Sequence, residues 1–75
     1  MLAMATKPTW RDHLQRAVKA MGGLTPAART CGITPSLMVY YLKDAKKLPG
    51  EVAIKIDRAT ASLVTKAQLR PDLFT

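Results

Sequence analysis

A Thr-Pro pair occurs twice in this chain, at Thr25-Pro26 and at Thr34-Pro35, and it limits the possible folds more than any other feature. Threonine caps a helix N-terminus with its hydroxyl oxygen, which accepts a hydrogen bond from an unpaired backbone N–H. Proline suits the first helical position, because the backbone N–H that it lacks has no partner there. The pattern therefore predicts two helices in close succession, each opening at its threonine.

Glycines mark where these helices end. Gly22-Gly23 precedes the first Thr-Pro pair and Gly32 precedes the second. Glycine ends helices because it adopts the left-handed backbone conformation without a Cβ clash. The second helix is thus predicted to run from residue 25 to about residue 31, and the third over about residues 35–45.

Apolar residues at helical spacing predict three more helices. The first begins at Pro8 or Thr9. The fourth follows the Pro49-Gly50 break, and the last is a turn within residues 64–70 capped by Thr65. The apolar stripe of the fourth helix is expected to comprise Val52, Ile56, Ala59 and Leu63. Because the chain has no strand-like alternation, we expect an all-α, compact five-helix domain over residues 8–75, after a flexible N-terminus at residues 1–7.

The charge balance limits the class of partner. Twelve Lys and Arg residues against five Asp and Glu give a formal net charge of +7. Such a surplus favours a polyanionic partner, either nucleic acid or an acidic membrane surface, and charge alone does not decide between them. The basic residues are spread over several helices, which argues against a membrane-surface helix.

The chain lacks the residues that several other classes of function require. The single cysteine, Cys31, cannot form an intrachain disulfide, and we expect it to be a small buried residue. His13 has no carboxylate or thiol at ligand spacing, and no catalytic motif is present. No apolar run reaches about 20 residues, the length that spans a bilayer. We therefore expect a cytoplasmic protein that is not an enzyme and has no cofactor.

The spacing within residues 24–43 is typical of a helix-turn-helix. Ala28 is small enough for two helices to cross closely, and Gly32, four residues later, permits the sharp turn between them. Ile33 is expected to fill the corner, while Met38 and Tyr41 face inward from the next helix. In such a motif the second helix enters the DNA major groove.

The outward face of that helix is predicted by excluding the residues that are expected to point inward. If Leu37, Met38, Tyr41 and Leu42 point inward, the residues that point outward are Ser36, Val39, Tyr40 and Lys43. Valine can contact a thymine methyl group, and the polar side chains can bond base edges. The alternative is that Tyr40 merely shields Val39 and that the lysines form an ordinary solvated patch.

Phosphate contacts are expected around this face. Helix N-termini bind phosphate through free N–H groups, which favours Thr25 at the start of the second helix. The predicted phosphate-contacting residues are Thr25, Arg29, Lys46 and Lys47.

The chain resembles the small Cro-type phage regulators, in the branch also described as YdaS-like antitoxins. Residues 17–28, 31–34, 48–51, 56–60 and 64–74 carry the resemblance. It implies a lambda-repressor-like fold that binds operator DNA through Thr34, Pro35, Ser36, Val39, Tyr40 and Lys43. The chain departs from the family pattern at Pro35, where Gln or Ser is frequent, and at Ala61-Ser62, where a glycine pair is common.

We therefore expect a sequence-specific transcriptional regulator, a Cro-like repressor of a double-stranded DNA operator. A homodimer through the fourth helix and the tail is a further possibility, since Ile54 lies off the apolar stripe; the alternative is that Leu69, Leu73 and Phe74 cover it. The competing function is an antitoxin that binds a partner toxin, for which exposed Ile54 and Phe74 are the support.

Overall fold

The computed structural model describes residues 9–74, which form five α-helices and no strand. The helices are α1 (Trp10–Ala20), α2 (Leu24–Cys31), α3 (Pro35–Lys43), α4 (Gly50–Ala59) and α5 (Lys66–Leu69). The predicted all-α class with five helices is confirmed. The flexible segment expected at residues 1–7 lies outside the described residues. None of the described helices has the length and hydrophobicity that crossing a membrane requires.

Helix α1 begins one residue after Thr9, the later of its two expected starts, because Thr9 is its cap. The Thr9 hydroxyl accepts from the Asp12 N–H at 3.4 Å, and the Asp12 carboxylate accepts from the Thr9 N–H at 2.9 Å. This reciprocal capping box satisfies two backbone donors at the helix start. Trp10 is consequently the first helical residue.

Helix α2 does not use Thr25 as its cap, contrary to the prediction. Gly23 takes that position with φ +119°, and its carbonyl accepts from the Ala27 N–H at 3.1 Å. The helix thus starts at Leu24, and Thr25 lies exposed within the first turn. A glycine with positive φ moved the helix start ahead of the Thr-Pro signal.

Helix α3 starts where the second Thr-Pro pair predicts. The Thr34 hydroxyl accepts from the Leu37 N–H at 3.1 Å, and Pro35 is the first helical residue. The helix ends at Lys43, two residues before the predicted end. Asp44 is the C-cap, and the Ala45 N–H bonds back to the Tyr40 carbonyl at 3.0 Å.

The core is built from apolar residues of all five helices and the loops between them. Its largest fully buried side chains are Leu14, Cys31, Met38, Leu48, Ile56, Val64 and Leu69. The expected apolar stripe of α4 is wrong at its C-terminal end. Ala59 is exposed, and Leu63 lies beyond the end of α4 with 58% of its surface exposed.

A left-handed turn between α4 and α5 explains the position of Leu63. Ala61 and Ser62 have φ of +51° and +65°. Because a right-handed helix cannot continue through such residues, α4 ends before them and Leu63 leaves the stripe.

Asp57 joins this turn to α5. Its carboxylate accepts from the Ser62 hydroxyl at 2.7 Å and from the Lys66 N–H at 2.9 Å. These bonds, the Lys66 N–H first, hold the pKa of Asp57 below its ordinary value of 3.8. Thr65 completes the α5 N-terminus with a capping box.

Two arginines hold the loop between α3 and α4. Arg11 of α1 donates to the Ala45 carbonyl. Arg70, which follows α5, donates to the Leu48 carbonyl at 2.8 Å and pairs with Asp72 at 2.7 Å. The loop after α3 is therefore fixed from both ends of the described chain.

Candidate nucleic-acid interface

The turn between α2 and α3 has the geometry that the sequence predicts. Gly32 adopts the left-handed conformation with φ +72°, and the Ile33 N–H bonds back to the Ala28 carbonyl at 2.9 Å. Ala28 and Met38 are fully buried, and Ile33 packs against the core. This bond pattern satisfies carbonyls at the end of α2 while the chain reverses into α3.

Three of the predicted base-reading side chains lie on one exposed face of α3. Ser36, Tyr40 and Lys43 are all exposed, with half of the Tyr40 surface accessible. Their spacing of four and three residues places them in one row along the helix. The Tyr40 ring is supported by Tyr41, at a centroid distance of 5.8 Å. The row is therefore exposed, and the ring at its centre contacts a residue of the core.

The flanks of this row differ from the prediction. Leu37, expected to point inward, has 36% of its surface exposed, whereas Leu42 packs against the core as expected. Val39, expected to point outward, is half-buried. In a helix with Met38 and Tyr41 buried, Leu37 lies at the edge of the buried face and next to Tyr40. The sequence signal for its exposure is that Leu37 lies three residues before Tyr40, which makes the two residues neighbours on the helix surface.

The two ends of α3 bring further exposed residues to the site. Thr34 and Pro35 are exposed at its N-terminus, where the Thr34 oxygen is occupied by capping. Asp44, which the sequence analysis did not single out, is exposed at its C-terminus directly after Lys43. A carboxylate here opposes the positive charge of the neighbouring Lys43.

The basic residues of the described chain fall into two groups. Several are engaged by the protein itself through hydrogen bonds or a cation–π contact: Arg11, Arg16, Lys55, Lys66 and Arg70. By contrast, six side chains make no hydrogen bond or ion pair within residues 9–74: those of Lys19 and Arg58, and those of the four residues predicted to contact DNA, Arg29, Lys43, Lys46 and Lys47. The second group is consequently available to an external anion.

The predicted phosphate-contacting residues are all exposed. Arg29 lies in the last turn of α2, and Lys46 and Lys47 lie in the loop after α3. Lys47 is close enough to Asp72 to contribute to that carboxyl's low pKa of about 2, of which the Arg70 hydrogen bond is the main cause. Lys47 thus faces the C-terminal segment as well as solvent.

Other chemistry finds little support in the described residues. Cys31 is buried, and burial raises the pKa of its thiol, with Lys55 opposing the shift. Residues 9–74 contain no group of three His, Cys, Asp or Glu side chains that could hold a metal ion, and no pocket.

The support named for the competing antitoxin function is wrong, because neither of the two residues named for it is exposed. Phe74 is half-buried against the core, and Ile54 is half-buried as well. The tail folds back over the start of α4, where Leu73 and Phe74 approach Gly50. The exposed leucines are instead Leu37, Leu63 and Leu73, of which the last two lie outside α3.

Five helices, with α2 and α3 joined by a left-handed glycine turn, define a small helix-turn-helix domain. The sequence profile of the family described as "Bacterial toxin YdaS" matches residues 14–75. The chain belongs to the YdaS family, which confirms the resemblance. The description names a toxin, where the resemblance named antitoxins.

One curated relative extends the comparison. The Escherichia coli (strain K12) protein described as "Putative transcriptional regulator YdaS" is 34% identical over 59 residues. The alignment covers 79% of this chain and 60% of the relative, so the chain spans about three fifths of the relative's length. No solved structure matches the chain significantly.

Proposed function

We propose that this chain binds double-stranded DNA sequence-specifically, with α3 in the major groove, and represses transcription by occupying an operator. The main observation that supports this proposal is the exposed row of Ser36, Tyr40 and Lys43 on one helix face. The major groove is about 12 Å wide and admits an α-helix whose side chains then reach base edges. The relative's description as a transcriptional regulator supports the same function.

The chemistry of the row assigns a role to each member. The Ser36 and Tyr40 hydroxyls can donate to or accept from base edges, and the Lys43 ammonium can donate to guanine O6 and N7. Thr34 and Pro35 enter the groove first because they open the helix. Val39 reaches the groove wall from the half-buried side.

Phosphate contacts set the register of α3 on the duplex. Arg29, Lys46 and Lys47 supply cations beside the row, and Thr25 supplies a hydroxyl that is free because Gly23 caps α2. Each cation that neutralises a phosphate steepens the salt dependence of binding by about one unit of log–log slope. Replacing any of these three cations with Gln is therefore expected to weaken binding to all duplexes equally.

The decisive experiment compares two lysines that occupy equivalent positions in different helices. Lys43 lies in the last turn of α3 and Lys19 in the last turn of α1, and both are exposed. An operator is first selected from random duplexes with the unaltered chain. Lys43→Met then weakens operator binding by about 1–3 kcal/mol, whereas Lys19→Met, which removes the same charge, changes it little.

Three results bear against the proposal. These are selection that enriches no sequence, equal losses for both lysine variants, and an affinity that does not fall with salt. Tyr40→Phe refines the test, because it removes only the hydroxyl and keeps the ring beside Tyr41.

A second candidate function is neutralisation of a partner toxin through protein–protein binding, and the exposed Leu63 and Leu73 favour it. A stoichiometric protein partner that remains bound to the Lys43→Met variant, with no operator found, supports this candidate. Homodimerisation belongs to the first proposal, since two α3 helices about 34–36 Å apart read half-sites one DNA turn apart. The molecular mass of the chain with and without operator tests it.

A further inference from the structure

Leu37 is the unexpected member of the exposed face of α3. It is 36% exposed although it is a large apolar residue, and it lies three residues before Tyr40. Residues at this spacing are neighbours on a helix surface, so Leu37 extends the row formed by Ser36, Tyr40 and Lys43. Its side chain offers no hydrogen bond, and it can gain free energy only from an apolar partner.

The backbone of Leu37 is also held in place before any ligand arrives. Its N–H donates to the Thr34 hydroxyl oxygen at 3.1 Å, and Pro35 fixes the backbone two residues earlier. Because the backbone N–H is occupied by this cap, it cannot bind a phosphate. What Leu37 presents outward is therefore its isobutyl group, in the first turn of the helix.

The major groove offers one apolar group to such a side chain. Thymine carries a methyl group at C5, whereas the groove edges of adenine, guanine and cytosine present hydrogen-bond donors and acceptors. The N-terminal residues of a recognition helix are those that contact base edges, and Leu37 is among them.

We infer that Leu37 reads the C5 methyl group of a thymine at one fixed position of the operator. This inference rests on the proposed DNA-binding function and adds a specificity-determining residue to it. The methyl group becomes buried between Leu37 and the neighbouring Tyr40 ring. A base that lacks the methyl group leaves the Leu37 side chain facing the groove without an apolar contact.

The test removes the methyl group and nothing else. In the selected operator each thymine is replaced, one at a time, by deoxyuridine, which keeps the same base pairing. Binding of the unaltered chain weakens about fourfold at one position, the change expected for one buried methyl group. Cytosine at that position binds more tightly once it is methylated at C5.

Variants assign the effect to Leu37. Leu37→Ala loses most of the preference for the thymine operator over the deoxyuridine operator, while Leu37→Met keeps it. Leu63→Ala is the matched control, because Leu63 is also exposed and lies outside α3, and it keeps the full preference. Thermal unfolding of each variant shows whether the fold is retained.

The outcomes separate this inference from the function on which it rests. If the chain selects an operator but no deoxyuridine substitution weakens binding, the Leu37 inference is overturned and DNA binding stands. The same holds if Leu37→Ala is as sensitive as the unaltered chain. If no duplex is bound at all, both proposals fail.

Discussion

Ala61 and Ser62 are consecutive residues that both adopt the left-handed conformation, and replacing Ala61 with glycine should stabilise the fold. The left-handed region costs an L-residue roughly 1–2 kcal/mol, because the Cβ approaches the following carbonyl oxygen. Glycine removes this cost but loses about 0.4–1 kcal/mol by widening the unfolded ensemble. Ala61 has φ +51° and is exposed, so no packing is lost. We expect Ala61→Gly to raise the free energy of unfolding by about 0.8 kcal/mol, the difference between the midpoints of these two costs.

Thermal and urea unfolding measure this change. For a domain of this size the gain corresponds to a rise in Tm of roughly 3–6 °C. Ala20→Gly is the matched control, since Ala20 is also exposed but lies in the last turn of α1. There glycine should cost up to about 0.5–1 kcal/mol, which is the cost in a helix interior. Ser62→Gly should gain less than Ala61→Gly, because it also removes the hydroxyl that donates to Asp57.

The ordering of the variants is what tests the reasoning. If Ala61→Gly lowers the Tm as Ala20→Gly does, the turn does not hold Ala61 in the left-handed region. An equal gain for Ala61→Gly and Ser62→Gly would show that the bond from Ser62 to Asp57 contributes nothing.

Three further variants probe the cap, the turn and the interface. The pKa of Asp57 is lowered by the Lys66 N–H and the Ser62 hydroxyl, so the carboxylate contributes fully to the free energy of unfolding above about pH 4 and this contribution is lost as the pH falls below it. Asp57→Asn is therefore less stable than the unaltered chain at pH 7 and loses less stability in an acid titration followed by circular dichroism. Gly32→Ala, at φ +72°, costs about 1 kcal/mol in urea unfolding; no loss would contradict the left-handed turn. Asp44→Asn strengthens binding to any duplex by roughly threefold at low salt, and the gain shrinks as salt screens the charge; a gain that persists at high salt would exclude this cause.

Local signals predicted the elements that depend on local chemistry. Thr34 and Pro35 set the start of α3 because a cap needs only the residues next to it. Gly32 set the turn for the same reason. The equivalent signal at Thr25 failed because two local preferences competed, and the positive φ of Gly23 prevailed.

Contacts between distant segments could not be predicted. Arg11 reaches a carbonyl 34 residues away and Arg70 one that is 22 residues away, and neither carbonyl carries a side-chain signature. Leu37 shows a different limit, since helical periodicity places it at the border of the buried face and only packing decides its exposure. Met38 and Tyr41, well inside that face, were predicted correctly.

The arginine contacts to the loop after α3 bear on how tightly the chain can bind. Lys46 and Lys47 lie in a segment whose carbonyls at Ala45 and Leu48 are already held by Arg11 and Arg70. A segment that is already ordered loses less conformational entropy when it binds, and this smaller loss raises the affinity. On the proposed function, the Arg11 and Arg70 guanidinium groups would thereby strengthen the binding of Lys46 and Lys47 to the duplex without contacting it themselves.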